Sequence, residues 1–328
     1  MHHARFAAHG LLLATLAFAP ACADGTGADD TDHLGLKGDG SEFASDDGVD
    51  GNDEASFDTL AAIDPSEQPS VALLARNGRH PFKSYTNPRR NGPRYAGTTI
   101  FYPTDGAANS LSAVVMCPGF TAARSSIQDW GPFFASHGIV LMIIDTNSTL
   151  DQVPARADAL WDAVQTLQNE NSTSGTPLSG KLNGKFGLAG WSMGGGGTWI
   201  ASKAHADVVK SAVTLAGHNA TAPGGAQVAR GSTVPTLMLN GADDTTILGG
   251  QNQTPNAYAQ IPESTPKLAY EMRGFGHFAW GTPKTNNNIS GQFVMAWEKL
   301  FLEGDDRYKA VLSQIPHPNA KTFKTNVF

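Results

Sequence analysis

Cysteine is nearly absent from this 328-residue chain, which has only Cys22 and Cys117. Cys22 sits in a leader-like segment, so no disulfide is expected inside the folded part, and a disulfide-stapled scaffold is excluded. Cys117 lies in an apolar run and reads as a small buried hydrophobe. Long apolar runs are also missing: nothing approaches the roughly 20 residues that a spanning helix requires. No helix or strand carries a basic stripe interleaved with aromatics, which excludes an obvious nucleic-acid face. There are no internal repeats, and no regularly spaced oxygen ligands around a glycine turn of the kind that binds calcium.

What is present begins at the N-terminus. Met1 to Gly10 carries Arg5, Leu11 to Ala19 is a short apolar run, and Pro20-Ala21-Cys22-Ala23 follows. A basic start, apolar middle and small-residue exit predict a secretory signal over residues 1–22. Two exits fit: ordinary cleavage within Ala21-Cys22-Ala23, or retention of Cys22 as the lipid-bearing first residue of a lipoprotein. Residues 23–66 follow as an acidic tether, with 13 Asp and Glu against Lys37 alone between Asp24 and Asp64. Such a segment buries too little apolar surface to offset its chain entropy. The overall charge of −7 resides in that tether, because Pro65 to Phe328 holds 21 basic against 17 acidic residues. The folded part is therefore placed at 67–328.

Within it, β-rich and amphipathic segments alternate. Gly97 to Pro103, Ser112 to Cys117, Ile139 to Asp145, Lys185 to Ala189, Val208 to Leu215, Val234 to Leu239 and Lys267 to Arg273 read as strands. Ile127 to Ser136, Arg156 to Gln168, Thr198 to Ala206 and Ser290 to Leu302 read as helices. That order predicts an α/β domain with a mostly parallel sheet covered by helices on both faces. Sites in such sheets form at the carboxyl ends of the strands. The loops at 118–122, 190–194, 241–247 and 274–279 all follow strands and should gather on one edge.

The most informative stretch is Gly190-Trp191-Ser192-Met193-Gly194, followed by three more glycines before a helix expected near Thr198. G-x-S-x-G marks a nucleophile elbow, where a tight strand-to-helix turn leaves a serine hydroxyl exposed on a corner. A serine needs a base, and a neutral imidazole held by a carboxylate suits that role. In the α/β-hydrolase chain order the acid follows the serine and the histidine comes last. Asn240-Gly241-Ala242-Asp243-Asp244 and Gly274-Phe275-Gly276-His277 both follow strands in that order. His277 is the candidate base. Asp244 is favoured as the acid by its G-x-x-D spacing, with its neighbour Asp243 left as the alternative. The oxyanion hole needs two backbone amides, for which Met193 and Phe120 are the candidates.

The other histidines read less well. His2, His3, His9 and His33 lie outside the domain, and His80 and His317 lie in proline-containing segments without an evident partner. His137 reads as a helix cap and His205 as a solvated residue. His218 could approach the site but precedes the candidate acid. Trp191, Met193, His218, Ile247 and Phe278, together with Phe120, are candidates for the walls of a substrate site.

These residues resemble the bacterial cutinases and polyester hydrolases, including enzymes that cleave poly(ethylene terephthalate). The resemblance rests on Pro118-Gly119-Phe120-Thr121-Ala122, Gly190-Trp191-Ser192-Met193-Gly194, His277-Phe278-Ala279, Ala135-Ser136-His137-Gly138, Ile144-Asp145-Thr146-Asn147-Ser148, Ser264-Thr265-Pro266-Lys267 and Asp306-Arg307-Tyr308. It spans about residues 70 to 325. It implies an α/β-hydrolase fold without a lid domain, a Ser192–Asp244–His277 triad, Phe120 and Met193 amides as oxyanion donors, and ester hydrolysis without a cofactor or metal. The implied partner is a hydrophobic ester or polyester, met by a secreted or lipid-anchored monomer. Three features depart from the family pattern. His218 stands where a tryptophan is usual, residues 219–233 form a longer Gly- and Ala-rich stretch, and no cysteine follows Cys117 to make the usual C-terminal disulfide. The alternatives are a lipase or general carboxylesterase with little polyester activity, a peptidase using the same triad, and a non-catalytic binding protein on the same scaffold.

Overall fold

Strand segments rich in Val, Ile, Leu and Met, buried on both faces, build the centre of the molecule. The computed structural model describes residues 68–87, 93–218, 228–246 and 254–328, with 254 and 255 by backbone alone. The leader and tether expected over 1–66 lie outside them. The strands are β1 (Phe82–Tyr85), β2 (Tyr95–Pro103), β3 (Leu111–Cys117), β4 (Val140–Thr146), β5 (Leu182–Trp191), β6 (Val209–Leu215), β7 (Thr236–Gly241), β8 (Lys267–Met272) and β9 (Ala320–Thr325). Among the described residues they form one sheet in the order β1-β2-β4-β3-β5-β6-β7-β8-β9. From β4 to β8 every neighbouring pair is parallel. β1, β2 and β9 add antiparallel pairs at the two margins.

The helices are α1 (Val71–Leu74), α2 (Trp130–Ser136), α3 (Val153–Ser172), α4 (Met193–Ala204), α5 (Thr254–Gln260), α6 (Ile289–Trp297) and α7 (Arg307–Gln314). Alternation along β3 shows how they cover the sheet. Val114 and Met116 pack on one face with Trp130, Phe133 and Phe134 of α2 and Phe293 and Trp297 of α6. Ala113, Val115 and Cys117 pack on the other with Ala157, Leu160, Val164 and Leu167 of α3 and Ala201 of α4. This is the doubly covered, mostly parallel α/β sheet that the strand and helix order predicts.

Several boundaries differ from the sequence reading, each for a physical reason. The helix after the elbow starts at Met193, not near Thr198, so Gly194 to Gly197 form its first turn. Glycine disfavours a helix by about 1 kcal/mol per residue, but packing overrides that cost here. A Cβ on Gly194 would overlap the carbonyl oxygens of Cys117 and Pro118, and one on Gly190 would overlap Gly194 itself. The segment 290–302 is not one regular helix, because α6 passes into a π-helical turn over Glu298–Glu303. The helix expected over 127–136 starts only at Trp130, after a 3-10 turn over Arg124–Ile127. β1 and β9 are half-exposed and carry Lys with Ser or Thr, so neither shows the continuous apolar run that marks a central strand.

Three histidines also differ from expectation, the first being His317, which stacks on Phe323 with ring centroids 4.1 Å apart. His80 has a partner, its Nδ1 lying 3.0 Å from Asp105 Oδ2. His205 is not simply solvated: it caps α4 and stacks on Trp161, with ring centroids 3.6 Å apart. His137 does cap α2, and burial pushes its pKa down to about 3.

Glu298, at the start of the π-helical turn, is fully buried. Ser211 Oγ donates to its Oε2, and its Oε1 has no partner among the described residues. Burial, opposed by the Ser211 hydrogen bond and reinforced by the negative charge of Glu303, pushes its pKa up to about 8. The folded protein thus holds a proton that the unfolded chain releases above the ordinary carboxyl range. Stability contributed here is present at acid pH and is lost as pH rises toward about 8. Above the ordinary histidine range of about pH 6.5, where the depressed His137 no longer opposes it, we expect stability in urea to fall toward pH 8 by up to about 1.4 kcal/mol per pH unit from this group. Glu298→Gln should flatten that slope, and an unchanged slope in the variant would refute the assignment.

Candidate active site

The candidate site begins at the joint between β5 and α4, where one residue, Ser192, separates the last strand position from the first helical one. Its backbone takes φ 57° and ψ −122°, a region that non-glycine residues rarely occupy. Neighbouring main chain holds it there. Ser192 N–H donates to Leu215 O at 2.9 Å, and Ser192 O accepts from Gly196 N at 3.1 Å and His218 N at 2.9 Å. The hydroxyl therefore sits on a corner fixed by the ends of β5 and β6 and the first turn of α4.

The loops after β7 and β8 converge on the same corner. His277 Nε2 lies 2.8 Å from Ser192 Oγ, and His277 Nδ1 lies 2.7 Å from Asp244 Oδ2. All three residues are buried. Thr246 N donates to Asp244 Oδ1 at 3.1 Å, which fixes the carboxylate plane. The two adjacent aspartates divide their partners. Asp244 meets the imidazole, whereas Asp243 Oδ2 accepts from Gly274 N at 2.8 Å and Asp243 N donates to Phe275 O at 3.1 Å. Asp243 thus ties the β7 loop to the loop that carries His277.

Phe120 follows β3 in the loop beside Ser192. A Cβ placed on Gly119 would lie 2.8 Å from Ser192 Cβ, a measure of how closely this loop overlies the serine. Neither the Phe120 amide nor the Met193 amide is spent on another acceptor among the described residues. Both come from segments that flank Ser192.

The candidate wall residues fall into distinct environments. Phe278 is 74% exposed and Phe120 40% exposed. Trp191 is buried beneath Phe278 (ring centroids 5.9 Å apart), and its Nε1 donates to His277 O at 2.9 Å. It supports the histidine loop from below. The Met193 side chain is mostly buried. His218 is half-buried; burial and then the neighbouring His277 push its imidazole below its ordinary pKa, with Asp244 opposing. Its Nδ1 has no hydrogen-bond partner among the described residues. Ile247 and the stretch 219–227 lie outside the described residues.

Two contributors carry no signal in the sequence. The Trp130 indole donates to Trp280 O at 2.9 Å, anchoring the chain just beyond His277 from α2. Arg156, at the start of α3, reaches the backbone of the Phe120 loop. Both bond to main-chain carbonyls of distant loops, which no motif spacing can reveal. Among the described residues there is no cluster of His, Cys, Asp and Glu suited to a metal ion. No helix there is long and apolar enough to cross a membrane.

Comparison with known proteins gives a consistent picture. A family model described as PET hydrolase-like matches residues 59–327. A bis(hydroxyethyl) terephthalate hydrolase from Streptomyces coelicolor is 36% identical over 225 residues, covering 69% of this chain and 68% of that protein. Cutinase est1 from Thermobifida alba is 34% identical over 260 residues, covering 78% of this chain and 83% of that protein. A cutinase from Thermobifida fusca is 34% identical over 259 residues, covering 78% and 81%.

Proposed function

The chain belongs to the PET hydrolase-like family and is a serine carboxylic ester hydrolase; from that premise we propose that it cleaves hydrophobic polyesters through an acyl-enzyme on Ser192. The observation that carries the proposal is the continuous hydrogen-bonded chain from Asp244 through His277 to Ser192, with links of 2.7 and 2.8 Å.

In this reading His277 Nε2 accepts the Ser192 proton as Oγ attacks the ester carbonyl. Asp244 holds Nδ1 protonated and stabilises the imidazolium that forms. The Phe120 and Met193 amides receive the developing oxyanion. As the tetrahedral intermediate collapses, the C–O bond to the alcohol breaks and His277 returns the proton to the leaving oxygen. Water then repeats the sequence on the acyl-enzyme and frees the acid. The exposed rings of Phe120, in the loop beside Ser192, and Phe278, against His277, offer apolar surface for the acyl and alcohol segments of a chain substrate. We propose further that residues 1–22 direct export and that Cys22 is either removed with them or retained as a lipid anchor. The mass of the mature N-terminus separates the two.

One observation favours a second reading within the same chemistry. His218 places a polar ring with an unpartnered Nδ1 beside the triad, where an aromatic wall would suit a polyester better. That would shift preference toward short, flexible esters, as in a general carboxylesterase. A fluorophosphonate probe followed by peptide mapping should label Ser192, and the purified enzyme should clear an emulsified aromatic polyester as well as hydrolyse tributyrin. Tributyrin turnover without clearing supports the second reading. Absence of labelling at Ser192 defeats both.

A further inference from the structure

Arg156 is fully buried, and among the described residues no carboxylate lies within ion-pair distance of it. Burying a cation without a counter-ion is expensive unless its donors are satisfied. Here they are satisfied by loop backbone. Nη1 donates to Pro118 O at 3.0 Å, Nη2 to Thr149 O at 2.9 Å and Nε to Asp151 O at 3.0 Å, and Nη1 also approaches Thr146 Oγ1 at 3.5 Å. One guanidinium therefore joins the loop after β3 to the loop after β4.

The pattern of shared acceptors gives this brace a direction. Thr149 O accepts both Arg156 Nη2 and Thr121 N, the latter at 2.8 Å. Pro118 and Thr121 bracket Gly119-Phe120, so this two-residue span is held at both ends, directly at one and through Thr149 at the other. Thr121 has φ 61°, a left-handed conformation that a β-branched residue resists. Without a restraint the loop would relax, and Phe120 would turn with it. The same Pro118 carbonyl that takes Arg156 packs against Gly194 at the start of α4. The arginine thus fixes the Phe120 amide relative to Ser192 and Met193.

We propose that Arg156 is a positioning residue that holds the Phe120 amide in register with the Met193 amide for oxyanion binding. The proposal rests on the reading of those two amides as the oxyanion donors. Lysine cannot replace the arginine, because a single ammonium does not present two parallel donors to the Pro118 and Thr149 carbonyls. A misplacement of about 1 Å at such a donor costs about 100-fold in rate.

The test uses Arg156→Lys and Arg156→Met with two readouts. The first is kcat and KM on p-nitrophenyl butyrate. The second is the inhibition constant of an alkyl trifluoromethyl ketone, which forms an oxyanionic hemiketal with a catalytic serine. We expect kcat to fall about 10- to 100-fold, with KM held within about twofold and the ketone weakened by the same factor as kcat. Melting curves check that each variant is folded; Arg156→Lys keeps the charge and most of the volume, and decides the matter should Arg156→Met fail to fold. A wild-type enzyme that the ketone does not inhibit would overturn the underlying assignment of the site. A wild-type enzyme that is inhibited, beside an Arg156→Lys enzyme with unchanged kcat and unchanged inhibition, would overturn the positioning role alone. A loss expressed in KM rather than kcat would overturn it as well.

Discussion

Ser192→Ala is expected to lower kcat on p-nitrophenyl butyrate by about 10⁴- to 10⁶-fold while leaving KM within about threefold. At about 1.36 kcal/mol per tenfold, this corresponds to about 5 to 8 kcal/mol of lost transition-state stabilisation. The size follows from the arrangement around one atom. His277 Nε2 is 2.8 Å from Ser192 Oγ and is itself oriented by Asp244, so removing the hydroxyl idles all three groups together. What remains is water and the two amides proposed as oxyanion donors, which are expected still to outpace the uncatalysed reaction. Stability supplies a control. Ser192 sits at φ 57°, and alanine must occupy the same strained backbone, so the melting temperature should barely move. Glycine accepts that backbone without strain. Ser192→Gly should therefore be equally inactive but more stable, by up to about 1–3 kcal/mol if the strain is fully released. A variant that lost activity only because it unfolded would show the opposite order.

The elements that could be read from sequence share one property: their cause is local. The strand–glycine–serine–glycine pattern around Ser192 follows from the lack of room between Gly190 and Gly194. The buried strands β3 to β8 announce themselves by continuous apolar runs. Asp244 and His277 come into view because each follows such a strand in the expected order. What could not be read depends on distant partners. Four glycines argue against a helix by propensity, yet they form the first turn of α4, where the Cys117 and Pro118 carbonyls leave no space for a side chain at Gly194 and the His218 carbonyl none at Gly196. His80 lacks a visible partner until the fold brings Asp105 alongside, and His205 needs Trp161. Arg156 is the clearest instance, since its three short hydrogen bonds go to backbone carbonyls, which carry no side-chain signature. Asp243 and Asp244 are indistinguishable as sequence, and only the loop geometry separates what each one touches.

That separation leads to the second large effect. Asp244→Asn should lower kcat by about 10⁴-fold, as losing the tautomer-setting carboxylate does in a serine protease with the same triad on another fold. An asparagine there can turn its amide NH₂ toward His277 Nδ1. The imidazole would then carry its proton on Nε2, facing Ser192 Oγ, and could not accept the serine proton. The contacts that place the ring would survive, because Trp191 Nε1 still holds His277 O and Trp130 still anchors the chain beyond it. The loss should therefore fall on kcat and not on folding. Asp243→Asn is the matched comparison. Its side-chain oxygen can still accept from Gly274 N, so the histidine loop stays in place and activity should remain within about threefold of wild type. Asp243→Ala removes that acceptor and should cost more than Asp243→Asn, though far less than Asp244→Asn. The ordering of these three variants is the decisive measurement. If Asp243→Asn proves the more damaging of the two asparagine changes, the carboxylate that orients His277 during turnover is Asp243, and the β7 loop must rearrange when substrate binds.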